Sequence, residues 1–307
     1  MRDPNLAGRK LYPKLLRTAL DSGRVGNIAM LSAHDGFLPD YEADKKLSMR
    51  ILGPVPETLP DNRLALRWFG DDGKTKNGHS VVLLLTYDRV RILFGGDLNT
   101  PSAEYLLEHY TGLAPRPTTP AARQTLVAEA RKTFEVDAVK ACHHGSSDFS
   151  SVFLEALNAL VTIVSSGDDE SHCHPRPDTL GAIGRFGRGE RPLIFSTELA
   201  RSTRENIRRP VELRQKIRLL IDRLATATTP AAREQAQKAL DEELAKIERS
   251  VAVYGMITLR TDGRRMLLAQ KLEKRRAITG EEFDIHLLGP GANDSLELVP
   301  KEVWSRE

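Results

Sequence analysis

Apolar positions along the chain fall into two rhythms, one helical and one of short strand-like runs. Leu11, Leu15, Leu16 and Leu20 recur at helical spacing between residues 8 and 22, and the run stops before Gly23, which predicts a helix. Asn27–Ser32 and Leu47–Leu52 are short apolar runs that read as strands, the second ended by Gly53-Pro54, and Glu57–Asn62 reads as a polar loop. Ser80–Thr86 and Arg89–Phe94 are more strongly apolar and meet at Tyr87-Asp88, the pattern of a hairpin. A helix is expected after Thr100, with Pro101 in its first position and Tyr105, Leu106 and Leu107 along it. Residues 111–123 read as a Pro/Thr-rich loop and 124–133 as helix. Val136–Ala141 predicts a strand, and Ser146, Ser147, Ser150 and Ser151 cap a helix that runs through Asn158. The strand Val161–Ser165, a polar loop with His172, His174 and Pro175, the helix Asp178–Arg185 and the strand Pro192–Ser196 complete the series. Strands alternating with helices in this way predict an α/β layered core.

The rhythm changes after Ala200. Arg, Glu, Lys, Gln, Leu and Ala dominate up to Arg249, with Leu213, Ile217, Leu220 and Leu224 on one helical face. Thr228-Thr229-Pro230 interrupts the run before a second stripe of Ala236, Leu240, Leu244 and Ile247. This predicts a helical hairpin packed on the core or on a partner. Val251–Arg260 and Arg265–Lys271 flank Asp262-Gly263, the strongest hairpin signal in the chain. The expected divisions are therefore a core over 1–198, an inserted helical hairpin over 199–250, a returning β-hairpin over 251–274 and an irregular tail over 275–307, with a short strand near Leu296–Val299.

Composition narrows the class without choosing a chemistry. Of 307 residues 40% are hydrophobic and 28% charged, the balance of a globular protein with a core. No apolar run approaches the roughly 20 residues of a membrane-spanning helix, and the opening Met1-Arg2-Asp3-Pro4-Asn5 lacks the apolar stretch of a signal peptide. Two cysteines, Cys142 and Cys173, do not make a disulfide framework, so a reducing cytoplasm is expected. The net charge of +3 permits an anionic substrate but does not call for nucleic acid, and the Arg-rich stretch Arg201–Arg218 reads first as a solvated helical face. There is no phosphate-binding Walker loop, no nucleophile elbow and no dinucleotide fingerprint.

Chemistry concentrates where strands run into glycine. Asp97 follows Gly95-Gly96 at the end of an apolar strand, so its carboxylate emerges beside residues that admit close approach; a turn or helix-cap role fits the same spacing. His143-His144-Gly145-Ser146 ends another strand. Adjacent histidines point in different directions, so one can ligate a metal while the other meets substrate or a second metal, and the hydroxyls and helix start beyond them favour an anion. A hydrogen-bonding histidine pair is the plainer alternative. His79, in Asn77-Gly78-His79-Ser80 just before a buried strand, reads as a ligand at the sheet edge or as an exposed loop residue. His174-Pro175 falls one strand and loop later and suits a substrate contact. His34 and His109 read as structural.

In this order, Asn77 to Ser80, Gly96-Asp97, His143 to Ser146 and His174-Pro175 resemble the metallo-β-lactamase-fold hydrolases, in the branch that includes ComEC-like nuclease domains and phosphorylcholine esterases. The resemblance covers roughly residues 25 to 198, with the hairpin at 251–271. It implies part of an αββα sandwich carrying an inserted helical hairpin, and a two-metal zinc site for which manganese also serves. Asp97 and His144 would be metal ligands, with His79 near the family's middle histidine; His143 and Asp97 would act in catalysis, and Ser146 and His174 would contact substrate. Hydrolysis of a small-molecule ester, chiefly a phosphoester, follows from it. The family's leading His-x-His-x-Asp-His does not occur in residues 1–96, whose histidines are His34 and His79. The resemblance thus implies either a truncated, C-terminal-type part of such an enzyme, completed by a partner or a second copy, or a catalytically inactive binding module. A missing half would leave a sheet edge unpaired and favour oligomers.

Overall fold

The computed structural model describes residues 11–25, 29–166, 174–200, 210–245, 251–272, 280–291 and 295–306. The chain begins with α1 (Leu11–Asp21), followed by β1 (Leu47–Gly53), a short ribbon of β2 (Glu57–Thr58) and β3 (Leu64–Ala65), and α2 (Asp72–Gly78). The hairpin β4 (Val82–Tyr87) and β5 (Val90–Phe94) leads into α3 (Thr100–Thr111) and α4 (Pro120–Phe134). Next come β6 (Ala138–Lys140), α5 (Ser151–Leu157), β7 (Val161–Val164), α6 (Pro177–Phe186), β8 (Leu193–Ser196) and β9 (Glu198–Ala200). A pair of helices, α7 (Pro210–Thr226) and α8 (Pro230–Ala245), precedes β10 (Val251–Tyr254), β11 (Ile257–Thr261), β12 (Met266–Lys271), β13 (Phe283–Pro290) and β14 (Leu296–Val299). This is an α/β protein, and no helix among the described residues is long and apolar enough to cross a membrane.

The centre is a six-stranded mixed sheet in the order β1-β4-β5-β6-β7-β8. Its first three strands are antiparallel, and β5 to β8 run parallel. Alternate side chains point to opposite faces, and both faces of this sheet are apolar. Leu93 and Val139 turn toward α3, α4 and α5, where they join Leu107, Leu126, Phe134 and Leu157 in one buried cluster. Their neighbours Val90, Ile92, Ala138, Val161 and Phe195 turn the other way and meet Met266, Leu268, Leu288 and Leu296. Those four residues belong to a second, antiparallel sheet in the order β11-β12-β13-β14. Burial on both faces explains why β4 to β7 read as unbroken apolar runs rather than alternating ones. The tips of the two sheets also touch: Arg89 donates its N–H to the Gly263 carbonyl at 3.0 Å.

Several elements differ from the sequence expectation for identifiable reasons. Residues 29–32 form no strand; Ser32 instead caps a 3-10 turn at Ala33–Asp35 by accepting the His34 N–H, and Met30 is exposed. Helix α4 starts at Pro120 inside the expected loop, because the Thr119 hydroxyl caps it and proline suits the first turn. The expected strand Val251–Arg260 breaks into β10 and β11 at Gly255, whose φ is +127°. The stretch expected to be an irregular tail contains β13, whose polar Asp284 and His286 and terminal Gly289-Pro290 obscure an eight-residue strand. Asn27 and Ile28, at the start of the first expected strand, lie outside the described residues, as does Ile247 of the helical hairpin.

The sheet edge at β1 is not bare. Leu38 donates to the Met49 carbonyl at 2.9 Å, Met49 to Tyr41 O at 2.9 Å and Ile51 to Gly36 O at 2.8 Å, so residues 36–41 bond along its outer side.

Candidate active site at the strand ends

Parallel strands β5 to β8 present their C-terminal ends on one edge of the sheet, the edge where open α/β sheets place ligands. Asp97, the His143–His144 turn and Ser165 all leave this edge directly after β5, β6 and β7. The Asp97 loop is held by its surroundings. Gly96 has φ +57°, and a Cβ there would lie 2.5 Å from Ser80 Cβ, so only glycine fits the turn. Asp97 donates its N–H to the Ser80 hydroxyl at 2.8 Å. Beyond it, the buried Asn99 caps α3 and donates Nδ2–H to the Lys74 carbonyl at 2.8 Å, fixing α2 beside the loop.

The histidine turn is built from three successive left-handed residues. His143, His144 and Gly145 have φ of +48°, +54° and +79°. Non-glycine residues in this region carry strain and persist where their surroundings over-determine them. Here the ties are the His143 N–H to Gly96 O at 3.0 Å, the Ser146 N–H to His143 O at 2.9 Å and the Arg176 N–H to Gly145 O at 2.8 Å. Gly145 is further required because a Cβ would meet Pro175 Cβ at 2.7 Å. A second bridge joins the loops, with Thr100 donating its N–H to Asp148 Oδ1 at 3.1 Å.

These ties bring His144 to Asp97. His144 Nδ1–H donates to the Ser165 carbonyl at 2.6 Å, and Nε2 stands 3.5 Å from Asp97 Oδ1. A carboxylate and an imidazole oriented by an outer-sphere carbonyl are a recurrent metal-ligand arrangement. Ligands bound at about 2.0–2.1 Å in a tetrahedral shell stand about 3.4 Å apart. The pair therefore fits one edge of a coordination shell. Among the described residues no group of three or more His, Cys, Asp or Glu comes together that could hold a metal, so the fit extends to two ligands. His172 and Cys173 lie outside the described residues.

The other residues named from sequence have distinct settings. His79 stacks on Phe69 with ring centroids 4.9 Å apart and bonds through Nε2 to the Arg67 carbonyl at 2.7 Å, so that nitrogen is already committed. His143 lies with Nε2 3.2 Å from Asn77 Nδ2 and its ring 5.6 Å from that of His174, while its Nδ1 is buried with no partner. The structure thus brings His143 and His174 together at this rim. Ser146 accepts the Asp148 N–H on its hydroxyl and the Thr179 hydroxyl on its carbonyl, at 3.2 and 2.7 Å. Helix α5 starts only at Ser151, and its first turn is already capped by Ser150, which accepts the Phe153 N–H.

Sequence reasoning passed over one residue here. Lys140, the last residue of β6, places Nζ 2.9 Å from Gly96 O and 3.6 Å from Asp97 Oδ1. A charged residue ending an apolar strand is no signal by itself; the register that sets it against Phe94 of β5 appears only in the fold. Cys142 packs its thiol beneath Gly95, where a Cβ would come within 2.4 Å of Sγ, and burial pushes its pKa up to about 11, so it stays a neutral thiol. Compared with known proteins, the chain matches no family model and no curated protein.

Proposed function

We propose that this chain is a metallo-β-lactamase-like domain, part of an αββα sandwich, acting in metal-dependent hydrolysis of a phosphoester. The observation that carries the reading is the Asp97–His144 pair, with donor atoms 3.5 Å apart and the histidine tautomer set by Ser165. The order of the motifs along the chain and their convergence on one sheet edge support the same family. Asp97 and His144 would hold a divalent cation, zinc or manganese, which when bound supplies Lewis-acid polarisation of a phosphoryl oxygen. The chain's own contributions are positional: Ser165 orients His144, Ser80 fixes the Asp97 backbone, and the left-handed turn presents His143 and His174 together at the rim.

A second reading, a catalytically inactive binding module, draws on the two-ligand limit among the described residues and on the Lys140 ammonium beside Asp97. Metal content and turnover separate the two. Under the hydrolase reading, purified protein titrated with Mn2+ or Zn2+ shows one saturable site, Asp97→Asn and His144→Ala each abolish it, and the loaded wild type cleaves bis-nitrophenyl phosphate. Binding without turnover would select the inactive module. Absence of both would sink the hydrolase proposal.

A further inference from the structure

We propose that Lys140 is the positioning residue of this site, locking the Asp97 loop to the His143–His144 turn through the carbonyl oxygen of Gly96. The inference rests on the reading of Asp97 and His144 as the working pair. Gly96 O receives two donors three residues apart, the Lys140 ammonium at the end of β6 at 2.9 Å and the His143 N–H in the turn at 3.0 Å. One oxygen therefore joins the end of β5, the end of β6 and the turn beyond it. The ammonium also stands 3.6 Å from Asp97 Oδ1, the same oxygen that faces His144 Nε2.

Physical cost argues that this arrangement is not incidental. Lys140 is largely buried, at 24% side-chain exposure, and ordering a long side chain costs on the order of 1–2 kcal/mol of conformational entropy. A charged donor to a carbonyl offsets that cost, because such bonds are among the stronger ones. The loop it holds has little other freedom. Ser80 blocks any side chain at Gly96 and accepts the Asp97 N–H, so the lysine closes the side of the loop that faces β6. Without that donor the Gly96 carbonyl retains only the His143 N–H, and the strained histidine turn loses a fixed point.

Amide hydrogen exchange on the full chain tests this directly, comparing wild type with Lys140→Met and Lys140→Arg. Lys140→Met should speed exchange of the His143 and Asp97 amides by about tenfold or more, the factor that loss of one charged-donor hydrogen bond carries. Amides within β5 and β7 should keep their protection. Lys140→Arg keeps a donor within reach of Gly96 O and should recover most of the slow exchange. Unchanged His143 exchange in Lys140→Met would overturn the proposal. So would loss of protection throughout the sheet, since the lysine would then hold the fold and not the loop. A parallel Mn2+ titration of wild type reads the hydrolase proposal independently of the exchange comparison. If even wild type takes up no Mn2+, the hydrolase reading fails while the exchange comparison still decides the role of Lys140.

Discussion

At Gly96 the backbone sits at φ +57° with Ser80 Cβ only 2.5 Å from where a Cβ would be. Gly96→Ala should therefore cost about 2 kcal/mol or more, from left-handed strain and overpacking together, read as a lowered urea midpoint at unchanged slope. His109 offers a pH-dependent counterpart away from the site. Burial, and secondarily the charge of His34, lowers its pKa from the ordinary 6.5. The fold favours the neutral ring, so its contribution is full above about pH 6.5 and is lost as the unfolded chain gains a proton below it. Between about pH 7.5 and about pH 5 the wild type should lose more stability than His109→Gln, measured by denaturant titration at each pH. Asp97 and His144 were legible in the sequence because glycine beside a chemistry-bearing residue at a strand end is a strong local signal. Lys140 was not, because a charged residue at a strand end is ordinary until the neighbouring strand's register places it beside Gly96. Nor does sequence reveal which nitrogen of His79 is committed; the Arg67 carbonyl that occupies it lies twelve residues back in an irregular stretch.

For the elements, short-range grammar carried most of the reading. The hairpin at Tyr87-Asp88, the Pro101 start of α3 and the Thr228–Pro230 break between α7 and α8 all stand where local residues put them. Misses came where tertiary partners decide. β13 is a strand because β12 and β14 flank it, despite its polar positions, and the run at 29–32 stays irregular because no strand pairs with it. The same holds for the edge of β1, which residues 36–41 bond along its outer side. Leu38→Pro would delete the N–H that reaches Met49 O and uncover part of that edge. Self-association should rise in this variant relative to wild type, seen as a concentration-dependent shift in light-scattering mass; an unchanged mass would mean the covering segment does not guard the edge.

Across the whole molecule, the site and the core are coupled because β5, β6 and β7 serve both. A cation bound only by the folded chain stabilises it by mass action, by about 2.7 kcal/mol at a hundredfold excess over Kd. Under the hydrolase proposal, saturating Mn2+ should thus raise the melting temperature of wild type and leave Asp97→Asn unmoved. The two-faced central sheet has a consequence for biosynthesis. Strands β4 to β8 are complete once residue 196 has been made, yet Val90, Ile92, Ala138 and Val161 wait for Met266, Leu268, Leu288 and Leu296 to cover them. On the ribosome the nascent chain must carry that bare apolar face through the synthesis of some seventy to a hundred further residues, several seconds at about 5–20 residues per second. Over that interval it is a natural client for chaperones, and the strand ends that shape the site become fixed only after residue 296 has been made.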